Sequence, residues 1–135
     1  MTYEQKSEYL QSYQDLICRI QELKERCAEI EEMGTSIAQK YDNEIHSQTV
    51  SSGVESTAIM YDKACHDLVK AENQKKYMEL HILKSIYDMR NYRLAQIIRK
   101  RYLEDQSVQR LAEWMHVTPS GAAKMIRAAI SAIEL

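Results

Sequence analysis

The side chains with the clearest chemical potential in this 135-residue chain are hydroxyls and cations near its C-terminal end. Thr118-Pro119-Ser120-Gly121 is followed by Lys124 and Arg127, and the run Arg99-Lys100-Arg101 lies upstream. A hydroxyl and the free N–H groups at a helix start bind phosphate, while Lys and Arg reach phosphate oxygens or the edges of bases. This set is therefore suited to recognition of a nucleic acid rather than to breaking a bond. No Gly-rich phosphate loop, nucleophile motif or carboxylate cluster with catalytic spacing occurs, so no enzymatic activity is expected.

Metal and cofactor chemistry is equally unsupported by spacing. His46, His66, His81 and His116 form no i, i+4 pair of ligands with one another or with a cysteine. Cys18, Cys27 and Cys65 are odd in number and lack paired spacing, which indicates neither a disulfide framework nor a zinc site. They read as reduced, small apolar residues. No cofactor and no metal are expected.

The net charge of −2 conceals an asymmetry. Residues 90–135 hold eight Lys or Arg against four Asp or Glu, whereas residues 1–89 hold ten against sixteen. The positive excess coincides with the candidate phosphate-binding residues, as an electrostatic footprint on DNA requires. It also suggests a division at residue 89/90.

The elements that position these residues are all expected to be helices. One Pro and three Gly leave long stretches without a helix breaker, so the class is all-α. No apolar run approaches the roughly 20 residues that cross a bilayer, and the charged start lacks the apolar core of a signal peptide. A cytoplasmic location follows as an expectation.

Thr2 and Gln5 have capping-box spacing and predict a helix start. Tyr9, Tyr13, Leu16, Ile20, Leu23, Cys27 and Ile30 then alternate in steps of four and three, with Ile37 and Tyr41 continuing beyond Gly34, which weakens the helix locally. The polar stretch 43–53 reads as a loop, with Ser52 and Glu55 spaced to cap a second helix. Ala64, Leu68, Ala71, Met78, Ile82 and Met89 form a second seam, with Ile86 alongside and Lys75 interrupting it. Residues 1–89 are thus expected to form a heptad-patterned helical hairpin, or a coiled coil with a second copy.

Residues 90–135 change to shorter apolar clusters that fit three helices. The first covers roughly 91–103, with Leu94, Ile97, Ile98 and Tyr102 inward. Ser107 caps the second, which buries Val108, Leu111, Ala112 and Met115. Thr118 followed by Pro119 starts the third, which buries Ala122, Met125, Ile126 and Ala129 and leaves Thr118, Ser120, Gly121, Lys124 and Arg127 outward. A short helix, a tight turn and a second capped helix have the proportions of a helix-turn-helix. His116 occupies the turn position that Gly takes most easily, because the backbone there has positive φ.

Arg101-Tyr102-Leu103-Glu104, Ser107-Val108, Leu111-Ala112, Val117-Thr118-Pro119-Ser120 and the stretch 128–133 together resemble region 4 of bacterial sigma factors. The overall plan is similar to that of the ArpU-type late-transcription regulators of phages and prophages of Gram-positive bacteria. That resemblance implies control of phage or prophage late genes through promoter DNA and, in some settings, RNA polymerase. Gly121 and Ala123 leave few readers on the third helix, so useful specificity would require a homo-oligomer or a polymerase partner. Two other functions suit the same pattern: a DNA-packaging protein like a small terminase subunit, and a helical protein-interaction module that binds no DNA.

Overall fold

The computed structural model describes the backbone of residues 1–43 and 48–135 and the side chains of residues 1–34 and 55–135. All regular structure among the described residues is helical. Helix α1 spans Tyr3–Asn43, α2 Gln48–Tyr87, α3 Tyr92–Ile98, α4 Val108–Met115 and α5 Pro119–Ala132; a wider π turn, Arg99–Leu103, continues α3. No described helix is long and apolar enough to cross a membrane.

The capping box at the start of α1 is reciprocal. The Gln5 N–H donates to Thr2 Oγ1 at 3.3 Å, and the Thr2 N–H donates to Gln5 Oε1 at 2.9 Å. α1 runs through Gly34 without a break. A β-carbon on Gly34 would meet Thr57 Cγ2 at 3.2 Å, so the missing side chain is what lets α2 approach there.

Most of the stretch 43–53, expected to be a loop, is helical: α1 reaches Asn43, and residues 44–47 lie outside the described residues. α2 begins at Gln48, and Ser52 lies inside it instead of at its start. Ser, Thr, Gln and Val are only mild helix opponents, at most about 0.7 kcal/mol each relative to Ala, and Gly53 adds about 1 kcal/mol; composition alone does not break a helix of this length. His46, together with the side chains of Ile37 and Tyr41, lies outside the described residues.

The chain forms two compact units, Met1–Leu16 with Lys75–Leu135, and Ile17–Gln74. In the second unit α1 and α2 lie antiparallel: Lys24 faces Glu72, and Cys27 and Ile30 pack on Ala64, with Tyr61, Cys65 and Leu68 around them. Ile20, Leu23 and Ala71 complete its buried seam. The Lys24–Glu72 ion pair, at 4.0 Å and exposed, adds well under 1 kcal/mol beside that apolar contact.

The first unit joins the start of α1 and the end of α2 to all the C-terminal helices. Leu10, Tyr13, Leu16, Met78, Ile82 and Ile86 are buried, and Tyr9 stacks edge-on against His81 at 5.7 Å. Burial, with Glu79 as a secondary cause, pushes the Tyr13 hydroxyl above its ordinary pKa. Two polar contacts tie α1 to the far end of the chain. Lys6 Nζ donates to the Ser131 carbonyl at 3.1 Å, and Gln14 Nε2 donates to the Arg101 carbonyl at 2.9 Å and to Asp105 Oδ1 at 3.3 Å. The unit carrying the basic C-terminal helices therefore also takes in residues 1–16 and 75–89, beyond the boundary that charge suggests.

Candidate nucleic-acid interface

Local sequence dictates the three C-terminal helices. Asn91 caps α3, its Oδ1 accepting from the Arg93 and Leu94 N–H groups at 3.1 and 3.2 Å. Ser107 Oγ accepts from the Arg110 N–H at 3.1 Å, and Thr118 Oγ1 accepts from the Gly121 N–H at 3.1 Å, with Pro119 in the first turn of α5. Each hydroxyl satisfies a donor that a helix start leaves open.

The connection between α4 and α5 is equally defined. His116 adopts the left-handed conformation, φ 57° and ψ 42°. Its N–H donates to the Glu113 carbonyl at 3.2 Å, and the Val117 N–H donates to the Ala112 carbonyl at 3.0 Å. These paired bonds are a Schellman ending, which closes α4 and turns the chain sharply into Thr118. Gly121 is half-buried beneath this turn. A β-carbon there would lie 3.3 Å from Thr118 Oγ1 and 3.5 Å from Val117 Cβ, so Gly121 permits the close approach of turn and helix.

The core behind these helices consists of Ala95, Ile97, Ile98, Tyr102, Leu111, Ala112, Met115, Ala122, Ile126, Ala129, Ile130 and Ile133. Leu94, Val108 and Met125 are half-buried at its edge. Burial raises the Tyr102 hydroxyl pKa; Arg101 opposes the shift and Tyr3 adds to it. Thr118, Ser120, Lys124 and Arg127 are exposed. Since Ala122, Ile126 and Ala129 are buried, Ser120, Lys124 and Arg127 fall on the opposite, solvent face of α5.

The basic run is split three ways. Arg99 is exposed. Lys100 is half-buried, its ammonium 4.8 Å from the centre of the Trp114 ring. Arg101 is also half-buried: Nη1 donates to the Gln106 carbonyl at 3.1 Å, and its guanidinium lies 5.8 Å from the Tyr102 ring. That bond clamps the exit of the π turn, where the Glu104 N–H donates to the Arg99 carbonyl at 3.0 Å and Asp105 has φ 51°. Lys100 and Arg101 thus have internal partners, which a charge run read from sequence does not reveal.

Arg110 is an exposed cation in the first turn of α4, on the helix that leads into the turn. It stands alone among uncharged neighbours in the sequence, so no basic run marks it. Trp114, 43% exposed, forms one wall of a groove of about 370 Å³ with Tyr92, Arg93, Gln96, Met115 and His116. It therefore sits at the edge of the core. No group of three or more His, Cys, Asp or Glu suited to a metal occurs among the described residues. No known protein family, curated protein or solved structure matches the chain.

Proposed function

We propose that the chain is a double-stranded DNA-binding transcription regulator, of phage or prophage late genes as the sigma-like resemblance implies. In this reading α4, its turn and α5 form a helix-turn-helix, with α3 completing the domain. α5 enters the major groove, with Lys124 and Arg127 at base edges or phosphates. Ser120 and the helix start meet the phosphate backbone, and Arg99 and Arg110 meet flanking phosphates. The observation that carries the reading is the α4 ending: a left-handed His116 delivers the chain directly into a Thr118-capped helix whose solvent face carries cations. That is the geometry by which such motifs present a second helix to DNA.

α1 and α2, with their heptad seams, mediate self-association or contact with RNA polymerase. Either adds the specificity that a helix with few long polar readers lacks. The protein works in the cytoplasm of a bacterial host and performs no catalytic step.

The test is retention of sheared genomic fragments by the purified chain at moderate salt, followed by sequencing, with binding to an arbitrary duplex measured at low salt. Enrichment of promoter-proximal fragments is the expected result. Enrichment at a packaging locus would assign the chain to DNA packaging instead. Failure to bind any duplex at low salt, where counterion release makes even non-specific binding visible, would make it a protein-interaction module.

A further inference from the structure

Cys27 and Cys65 stand far apart in sequence, yet the α1–α2 pairing of the Ile17–Gln74 unit brings them together. Cys27 belongs to the buried cluster with Ile30 and Ala64, and Cys65 packs against that cluster beside Tyr61. Burial, then the neighbouring Cys65, pushes the Cys27 thiol up, and Cys65 is also the main influence raising the Tyr61 hydroxyl. Cys65 is only half-buried, whereas Cys27 is buried, and the third cysteine, Cys18, is exposed.

We propose that Cys27 and Cys65 form a hydroperoxide-oxidised pair that closes an intrachain disulfide between α1 and α2. Cys65, the sulfur within reach of solvent, is oxidised first. Its thiolate attacks the terminal peroxide oxygen, the O–O bond breaks, and the departing oxygen takes a proton, leaving a sulfenic acid on Cys65. The Cys27 thiol then loses its proton and attacks the Cys65 sulfur; the S–O bond breaks and water leaves. Two thiols and one hydrogen peroxide become one disulfide and two waters. The product pins α1 to α2 at one register, so the helix pair can no longer open or exchange a helix with a second copy. The inference is independent of the DNA-binding reading.

The test uses the full-length Cys18→Ser protein, which keeps both members of the pair, alongside the wild type. Each is treated with equimolar hydrogen peroxide, alkylated, and analysed by intact mass and by peptide mapping without reductant. The expected product is a monomer, lighter by two hydrogen atoms in Cys18→Ser and carrying a single alkyl group, on Cys18, in the wild type, with a Cys27–Cys65 linked peptide in both proteins and full reversal by a thiol reductant. Its thermal midpoint should rise by several degrees over the reduced form, because the cross-link restricts the unfolded chain. Four results would overturn the proposal: unreacted thiols, a link between two copies, sulfinic acid on Cys65 with Cys27 still free, or a lower midpoint after cross-linking.

Discussion

The Lys100 ammonium lies 4.8 Å from the centre of the Trp114 ring, joining the π turn to the last turn of α4. Lys100→Met keeps an apolar stem of similar length and removes the charge, so the difference isolates the cation–π contact. Stability should fall by about 0.5–1 kcal/mol. Chemical denaturation followed by Trp114 fluorescence reads this directly, since Trp114 is the only tryptophan.

Arg99 and Arg101 should separate cleanly. Arg101→Ala removes the hydrogen bond to the Gln106 carbonyl and should lower stability by about 1–2 kcal/mol. Arg99→Ala touches an exposed side chain and should change stability by no more than about 0.5 kcal/mol. On duplex DNA, by contrast, Arg99→Ala should reduce the slope of log affinity against log salt by about 0.9 if its phosphate contact is lost. Thermal melts and anisotropy titrations at several salt concentrations distinguish the two roles.

Lys124→Ala with Arg127→Ala should leave the melting curve nearly unchanged and weaken binding to every duplex, more strongly to preferred sites. Unchanged affinity in the same anisotropy titration would remove α5 from the interface.

At position 116 the backbone, not the side chain, decides the outcome. A left-handed residue bearing a β-carbon is disfavoured by roughly 1–2 kcal/mol, part of which Gly returns through its larger unfolded-state entropy. His116→Gly should therefore stabilise by about 0.5–1 kcal/mol. His116→Val, branched at Cβ, should destabilise by about 1 kcal/mol or more. Urea titrations monitored by circular dichroism test both.

Tyr102 sets an alkaline limit. Its pKa is raised above the ordinary 10.0, so the protonated hydroxyl is favoured by folding. The associated stability is complete below pH 10 and is lost as pH rises through the higher folded value. Helicity should therefore decline above pH 10, and Tyr102→Phe, which cannot ionise, should shift that decline to higher pH. Far-ultraviolet circular dichroism against pH gives the comparison.

The parts of this fold that were legible in the sequence are those set by neighbours. Ser107, Thr118 and Pro119 announce their helices because a cap acts within one turn. The steps from Tyr13 to Ile30 reveal a buried seam because periodicity is a local property. The π turn left no such mark: Leu94, Ile97, Ile98 and Tyr102 suit an unbroken α-helix, and the contacts that accompany the departure, Gln14 to the Arg101 carbonyl and Arg101 to the Gln106 carbonyl, join groups outside the seam. The cysteine pair was hidden for the same reason, since only the register of α1 against α2 brings Cys27 to Cys65. Of the candidate interface, the exposure of Ser120, Lys124 and Arg127 was readable from the α5 pattern. The internal partners of Lys100 and Arg101 were not.

The contacts of Lys6 with Ser131 and of Gln14 with Arg101 also govern how the protein is made. During synthesis Lys6 and Gln14 leave the ribosome before their partners, which follow only after the intervening sequence has emerged. The Ile17–Gln74 helix pair can assemble while translation continues. The unit that holds α4 and α5 cannot complete these contacts until Ser131 is free, so the candidate DNA-binding surface is tied down after the helix pair has formed, by residues made well before it.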